Sequence, residues 1–266
     1  MALDSGSKVA LVHGFATDAS FSIFRSALGI DAGFESFRAE VEKGEVVVFR
    51  WGIERELTLL QMMGLLPVLR LYRDEERRAA DIEWQEKLFA FIENNQIEII
   101  VCHSLGSRFL LDMLNRFGAP STVKRILFVQ ADIAHSHLIT NEVVIARMRE
   151  GALRLINAYC PWDQSLIASM ILTGRSRYGL SKVDHPHIEN VFLPLKTLPN
   201  LHTCSIRSER LEELICFMSA LNPFVDFVVN DLLSGLPALT HRRMFGGYGL
   251  YSGGKFFAII DDGMLY

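Results

Sequence analysis

The chain carries no excess of either charge that would mark a polyanion partner. Lys and Arg number 27 against 31 Asp and Glu, a formal net charge of -4. With no basic surplus to neutralise phosphates or an anionic bilayer, direct nucleic-acid binding is not expected. Cysteine is scarce: Cys102, Cys160, Cys204 and Cys216 are scattered and unpatterned, which fits a reduced compartment rather than a disulfide framework. The opening residues MALDSGSKVALVHGF lack the basic start, apolar core and cleavage site of a secretory leader, so a cytoplasmic location is expected. Long apolar runs are missing as well. The most apolar stretch, Leu57–Tyr72, is broken by Gln61, Pro67 and Arg70 and falls short of the roughly 20 residues a spanning helix needs. No P-loop or dinucleotide fingerprint occurs. His135-x-His137 and Asp184-His185-Pro186-His187 have spacings that could hold zinc, but without a cysteine or carboxylate at a familiar offset they read as surface histidines. No cofactor and no metal are expected.

What is present is a core. Half of the residues are hydrophobic and 22% are charged, enough to fill a sizeable interior over 266 residues. The stretch that organises it is QIEIIVCHSLGSRFLLDMLNRFG, from Gln96 to Gly118. Ile97, Ile99, Ile100 and Val101 read as a strand buried on both faces. Phe109, Leu110, Met113, Leu114 and Phe117 form the inner side of a helix, which Gly118 and Pro120 end. At the junction stands Cys102-His103-Ser104-Leu105-Gly106, a small-x-Ser-x-small nucleophile elbow with cysteine at the first small position. Such a turn forces the serine into a strained conformation. It also aims the N–H of Leu105, at a helix N-terminus, at a developing oxyanion.

Further strands are expected over Lys8–Val12, Glu45–Phe49, Arg125–Gln130, Leu153–Tyr159 and Asn190–Leu195, the last at an edge because of its proline. Helices are expected after Asp18, over Asp74–Glu93 and over Ser208–Met218. Strands alternating with helices give an α/β fold, a doubly wound and mostly parallel sheet with its ligand site at the carboxyl ends of the strands. The segment 53–73 has two readings, a cap whose Met62, Met63, Leu65 and Leu66 face an apolar ligand, or a packed core helix.

A serine nucleophile needs a base and an acid that orients it, met in chain order after the serine. His202, just past the last strand, is the candidate base. Asp163, just past the strand over 153–159, is the candidate acid, with Asp132 as the competing choice. His103 reads as packing. The loop His13-Gly14-Phe15 can supply a second oxyanion N–H, that of Phe15, because glycine permits close backbone approach.

Residues 8 to about 218 resemble a family of bacterial α/β-hydrolase-fold proteins of largely unassigned function. The resemblance rests on KVALVHGF, VVVFRWG, IIVCHSLGSRFLLDML and LRLINAYCPWDQSLIASMILTGRSRYG. It implies Asp163 as the acid, with Arg177-Tyr178-Gly179 where the family has an Arg-Leu-Gly-like string. It implies the base at His202, in Leu201-His202-Thr203 where the family has Gly-His-Ser. Its implied chemistry is hydrolysis of an ester or similar acyl bond.

The tail, Phe224–Tyr266, looks like the start of the TfoX N-terminal domain through HRRMFGGYGLYSGGKFFAIIDDGMLY. A helix through Phe224, Phe227, Val228 and Leu232 is expected there, with two short strands flanking Ser252-Gly253-Gly254. The expected organisation is an α/β-hydrolase-like domain over 1–219 and a small, incomplete α+β appendage over 220–266. About forty residues cannot bury a core unaided, so the tail is expected to pack elsewhere, pair between chains or continue in a longer product. Two functions follow as expectations. One is a serine esterase or thioesterase acting on a small acyl substrate. The other is a non-catalytic binding or regulatory protein that contacts a protein partner, or itself, through 223–266.

Overall fold

The computed structural model describes residues 8–14, 43–44, 46–51, 65–193, 228–244, 247–261 and 264–266. The chain divides into two compact units, Ser5–Arg210 and Leu211–Tyr266 together with Met1–Asp4.

The larger unit is built on a six-stranded sheet. Its strands are β1 (Val9–Val12), β2 (Val46–Phe49), β3 (Ile99–His103), β4 (Arg125–Val129), β5 (Arg154–Tyr159) and β6 (Ile188–Phe192). They lie in the order β2-β1-β3-β4-β5-β6, and every ladder among them is parallel. β1 and β3 are buried at every position, as runs dominated by Val, Leu and Ile require, and the burial extends to Cys102 and His103 at the end of β3. β6, the strand expected at an edge, is at one. The chain leaves β1 to pair β2 on one side and then crosses to β3 on the other. The strand order therefore reverses between β1 and β3, and a crevice at such a switch point, outside the carboxyl ends, is where open α/β sheets bind ligands.

Helices α1 (Leu65–Ala80), α2 (Ile82–Asn94), α3 (Leu105–Phe117), α4 (Glu142–Arg149) and α5 (Gln164–Thr173) complete the described part of this unit. The single helix expected over 74–93 is two. Asp81 breaks it by capping α2, its carboxylate accepting from Glu83 N–H at 2.8 Å. The first of the pair starts at Leu65, within the segment with two readings. Its Leu71, Glu75 and Ala79 are fully buried, and it packs on α3. Residues 52–64, with Met62 and Met63, lie outside the described residues, as do the helices expected after Asp18 and over 208–218. Aromatic contacts knit the core: Trp51 and Phe109 have ring centroids 4.7 Å apart, Phe49 and Phe91 5.1 Å. Gly118 ends α3 at φ +80°, its N–H donating to Leu114 O.

The smaller unit holds an antiparallel sheet of four strands, β7 (Leu239–Met244), β8 (Gly247–Ser252), β9 (Lys255–Asp261) and β10 (Met264–Leu265), paired in the order β10-β9-β8-β7, of which β8 and β9 are the pair expected around Ser252-Gly253-Gly254. Gly253 and Gly254, both at positive φ, make the two-residue turn between β8 and β9. Of the expected helix the described part is one π-helical turn, Val228–Leu232. Val228, Leu250, Ala258 and Ile260 form a small core. Among the described residues no helix is long and apolar enough to cross a membrane.

Candidate active site

Ser104 sits where the expected elbow places it, between the last residue of β3 and the first of α3. Its backbone is at φ +52°, ψ −124°, a conformation that L-residues avoid and that costs on the order of 1–3 kcal/mol to hold. The surroundings enforce it. Ser104 N–H donates to Val129 O at 3.1 Å, while its carbonyl accepts from Asp132 N–H at 3.0 Å and Ser107 N–H at 3.1 Å. Because α3 opens at Leu105, the N–H of that residue is one of the donors for which a helix has no carbonyl of its own. The Ser104 side chain makes no hydrogen bond among the described residues.

The small residues of the motif have steric reasons. A Cβ on Gly106 would stand 2.2 Å from His13 O and 2.6 Å from Val12 O, so only glycine lets α3 start this close to the end of β1. On Gly14 a Cβ would meet Ser104 Cβ at 2.7 Å. The Gly14 backbone therefore borders the serine directly, at the point where the strand order reverses. Cys102 is fully buried, and burial pushes its thiol pKa well up.

Two histidines near the serine are engaged. His13 Nε2 accepts from Trp51 N–H at 3.3 Å, which puts its proton on Nδ1, 3.0 Å from Gly14 O. The ring stacks on Trp51, and the indole N–H donates to His13 O at 2.9 Å. His103 is buried at the end of β3. His202 and Phe15, the expected base and second oxyanion donor, lie outside the described residues.

The two candidate acids differ in what holds them. Asp163, fully buried after β5, caps α5: Oδ1 accepts from the N–H groups of Ser165 and Leu166 at 3.0 and 3.1 Å. Its Oδ2 accepts from Gln130 Nε2 at 2.5 Å. Asp132, after β4, carries an ion pair with buried Arg177, whose Nε is 3.0 Å from Oδ1. Ser169 Oγ donates to the same oxygen at 2.9 Å, and Tyr72 Oη donates to Oδ2 at 2.7 Å. Burial, followed by the Asp132 charge, raises the pKa of Tyr72.

Gln130 is the residue that sequence reasoning missed. It stands at the end of β4, one strand from Ser104 and one from Asp163, fully buried and at φ +46°. A non-glycine residue held there is a strained feature like Ser104, and no local pattern announces it. Gly179 makes room for it, since a Cβ there would stand 2.4 Å from Gln130 C and 2.5 Å from Ala131 N.

The histidine pairs have protein partners. His135 Nε2 is 2.9 Å from Ser181 Oγ, and His137 Nε2 is 2.6 Å from Asp112 Oδ1. His185 Nδ1 accepts from His187 N–H at 3.2 Å, and burial followed by the His187 charge lowers the His185 pKa. Among the described residues no group of three His, Cys, Asp or Glu is arranged to hold a metal ion.

Comparison with known proteins bears on the tail. No curated protein and no solved structure matches the chain. Residues 231–266 match the family model of the TfoX N-terminal domain, so the smaller unit carries a TfoX-like segment.

Proposed function

We propose that the larger unit is a serine hydrolase of the α/β-hydrolase type, cleaving an ester or thioester bond of a small acyl substrate. The observation that carries this reading is the backbone of Ser104, strained at φ +52° between a buried parallel strand and a helix N-terminus, with glycine backbone against it. In this reading Ser104 Oγ attacks the acyl carbonyl as His202 takes its proton. The N–H groups of Leu105 and Phe15 stabilise the tetrahedral oxyanion. His202 returns the proton to the leaving group, which departs to give an acyl-enzyme. Water, deprotonated by the same imidazole, then releases the acid and restores the serine.

Asp163 fits the third role better than Asp132. A carboxylate already paired with a guanidinium has less charge to lend an imidazolium, whereas Ser165 N–H, Leu166 N–H and Gln130 are neutral donors to Asp163. Gln130 then acts as a positioning residue, fixing the carboxylate from the neighbouring strand end.

The test is labelling of the full chain with a fluorophosphonate. Labelling that vanishes in Ser104→Ala, and turnover that vanishes in a folded His202→Ala, support the reading. A folded wild-type chain that takes up no label excludes it. The family match at 231–266 favours a second reading, a binding or regulatory protein acting through its tail. Absent labelling, with capture of a protein partner lost on deleting 223–266, would select that one.

A further inference from the structure

A second candidate site in the larger unit is independent of the Ser104 reading. A partly enclosed cavity of about 250 Å³ lies between α1, α3, the loop after β4 and the segment after α5. Its wall carries three guanidinium groups, Arg108, Arg175 and Arg177, against one carboxylate, Glu76, with Ser136 beside them.

The partners of these groups decide what is left over. Arg177 is only 2% exposed; Nε faces Asp132 and Nη2 donates to Thr173 Oγ1 at 2.7 Å, while Nη1 makes no hydrogen bond among the described residues. Arg108 is paired with Glu76 and lies 3.7 Å from Asp112, and its Nε is buried without a hydrogen-bond partner. Arg175 has no acidic partner among the described residues. Glu76 thus faces Arg108 and Asp132 faces Arg177, and the Arg175 charge stays open. Buried N–H donors without acceptors are costly, and an oxyanion supplies acceptor lone pairs and negative charge together. A liquid water occupies roughly 30 Å³, so the space holds an anion several times that size.

We propose that this cavity binds a small oxyanion, a carboxylate or phosphate group, held by Arg175 and by the uncommitted donors of Arg177 and Arg108. Guanidinium groups suit both chemistries because their forked donors match either anion. The probes are inorganic phosphate and succinate, titrated calorimetrically into the full chain at an ionic strength fixed with sodium chloride. Saturable one-to-one binding of at least one is expected, and the stronger of the two assigns the chemistry. Arg175→Gln should weaken it roughly tenfold or more, the effect of losing one charged hydrogen bond. Glu76→Gln removes the acidic group of the wall and frees Arg108, so it should tighten binding, a gain that misfolding cannot produce. No saturable binding of either anion, or wild-type affinity in Arg175→Gln, overturns the proposal.

Discussion

Gly106 faces the carbonyl oxygen of His13 so closely that a methyl group in its place would stand 2.2 Å away. One glycine therefore sets how near α3 starts to the end of β1, and with it where the Leu105 N–H and the Ser104 hydroxyl are held. Backbone cannot retreat as the tip of a side chain can, so Gly106→Ala must move the helix. Overpacking of this kind costs typically 1–3 kcal/mol and occasionally more. Gly151, at φ +76° with open space around its Cα, is the control, since alanine there meets only the backbone penalty of roughly 1–2 kcal/mol. Urea denaturation should show the larger loss in Gly106→Ala. Fluorophosphonate labelling, if present in the native chain, should fall only in that variant.

Gln130→Leu removes a donor from a buried carboxylate, a loss of about 1–3 kcal/mol. Gln130→Glu sets a second carboxylate against Asp163. Two like charges at that distance raise the pKa of the pair in the folded state. The folded protein then binds more protons than the unfolded chain, so stability rises as pH falls. Denaturant titrations at pH 5 and pH 8 should find Gln130→Glu more destabilised at pH 8.

Asp132→Asn leaves the guanidinium of Arg177 buried without its counter-ion. Breaking a buried pair in this way costs about 3–5 kcal/mol. Tyr72→Phe removes one of the donors to the same carboxylate while leaving its counter-ion, and should cost about 1–3 kcal/mol. The ratio of the two losses, read from denaturation midpoints, tests whether Asp132 is held chiefly by charge.

Burial pushes the Tyr178 phenol up to about 12, and Tyr72 is raised as well. A raised acid pKa contributes stability that is complete below the unfolded value near 10 and is lost as pH climbs through the folded one. Stability should fall between pH 10 and 12, and Tyr178→Phe should flatten that decline in an alkaline titration followed by circular dichroism.

Much of the larger unit was legible because its strands are buried on both faces. VALV, IIVCH and RILFV are apolar runs that only a sheet interior accommodates, and their alternation with helices already implied parallel pairing. The elbow was legible for a local reason too, since strand, serine, glycine and helix follow one another within ten residues. Legibility failed where the cause was distant or weak. Asp81 interrupts an apolar face that continues through Trp84 and Leu88, so the break between α1 and α2 turns on one capping residue. Gln130 and Asp163 are 33 positions apart, and Arg177 and Asp132 are 45, with nothing in either neighbourhood naming the other. In the smaller unit, LTHRRM lacks the apolar alternation of a half-buried strand, which is why β7 went unread.

Ser104→Gly should raise the melting temperature while abolishing any labelling. Glycine, which has no Cβ to crowd the backbone, reaches φ +52°, ψ −124° freely, whereas serine is held there against the preference of its own side chain.

Thermally, then, the most comfortable occupant of position 104 is a residue with no oxygen to offer. A chain shaped by firmness alone would slide towards glycine at this bend; serine there keeps the molecule looser than its own architecture permits.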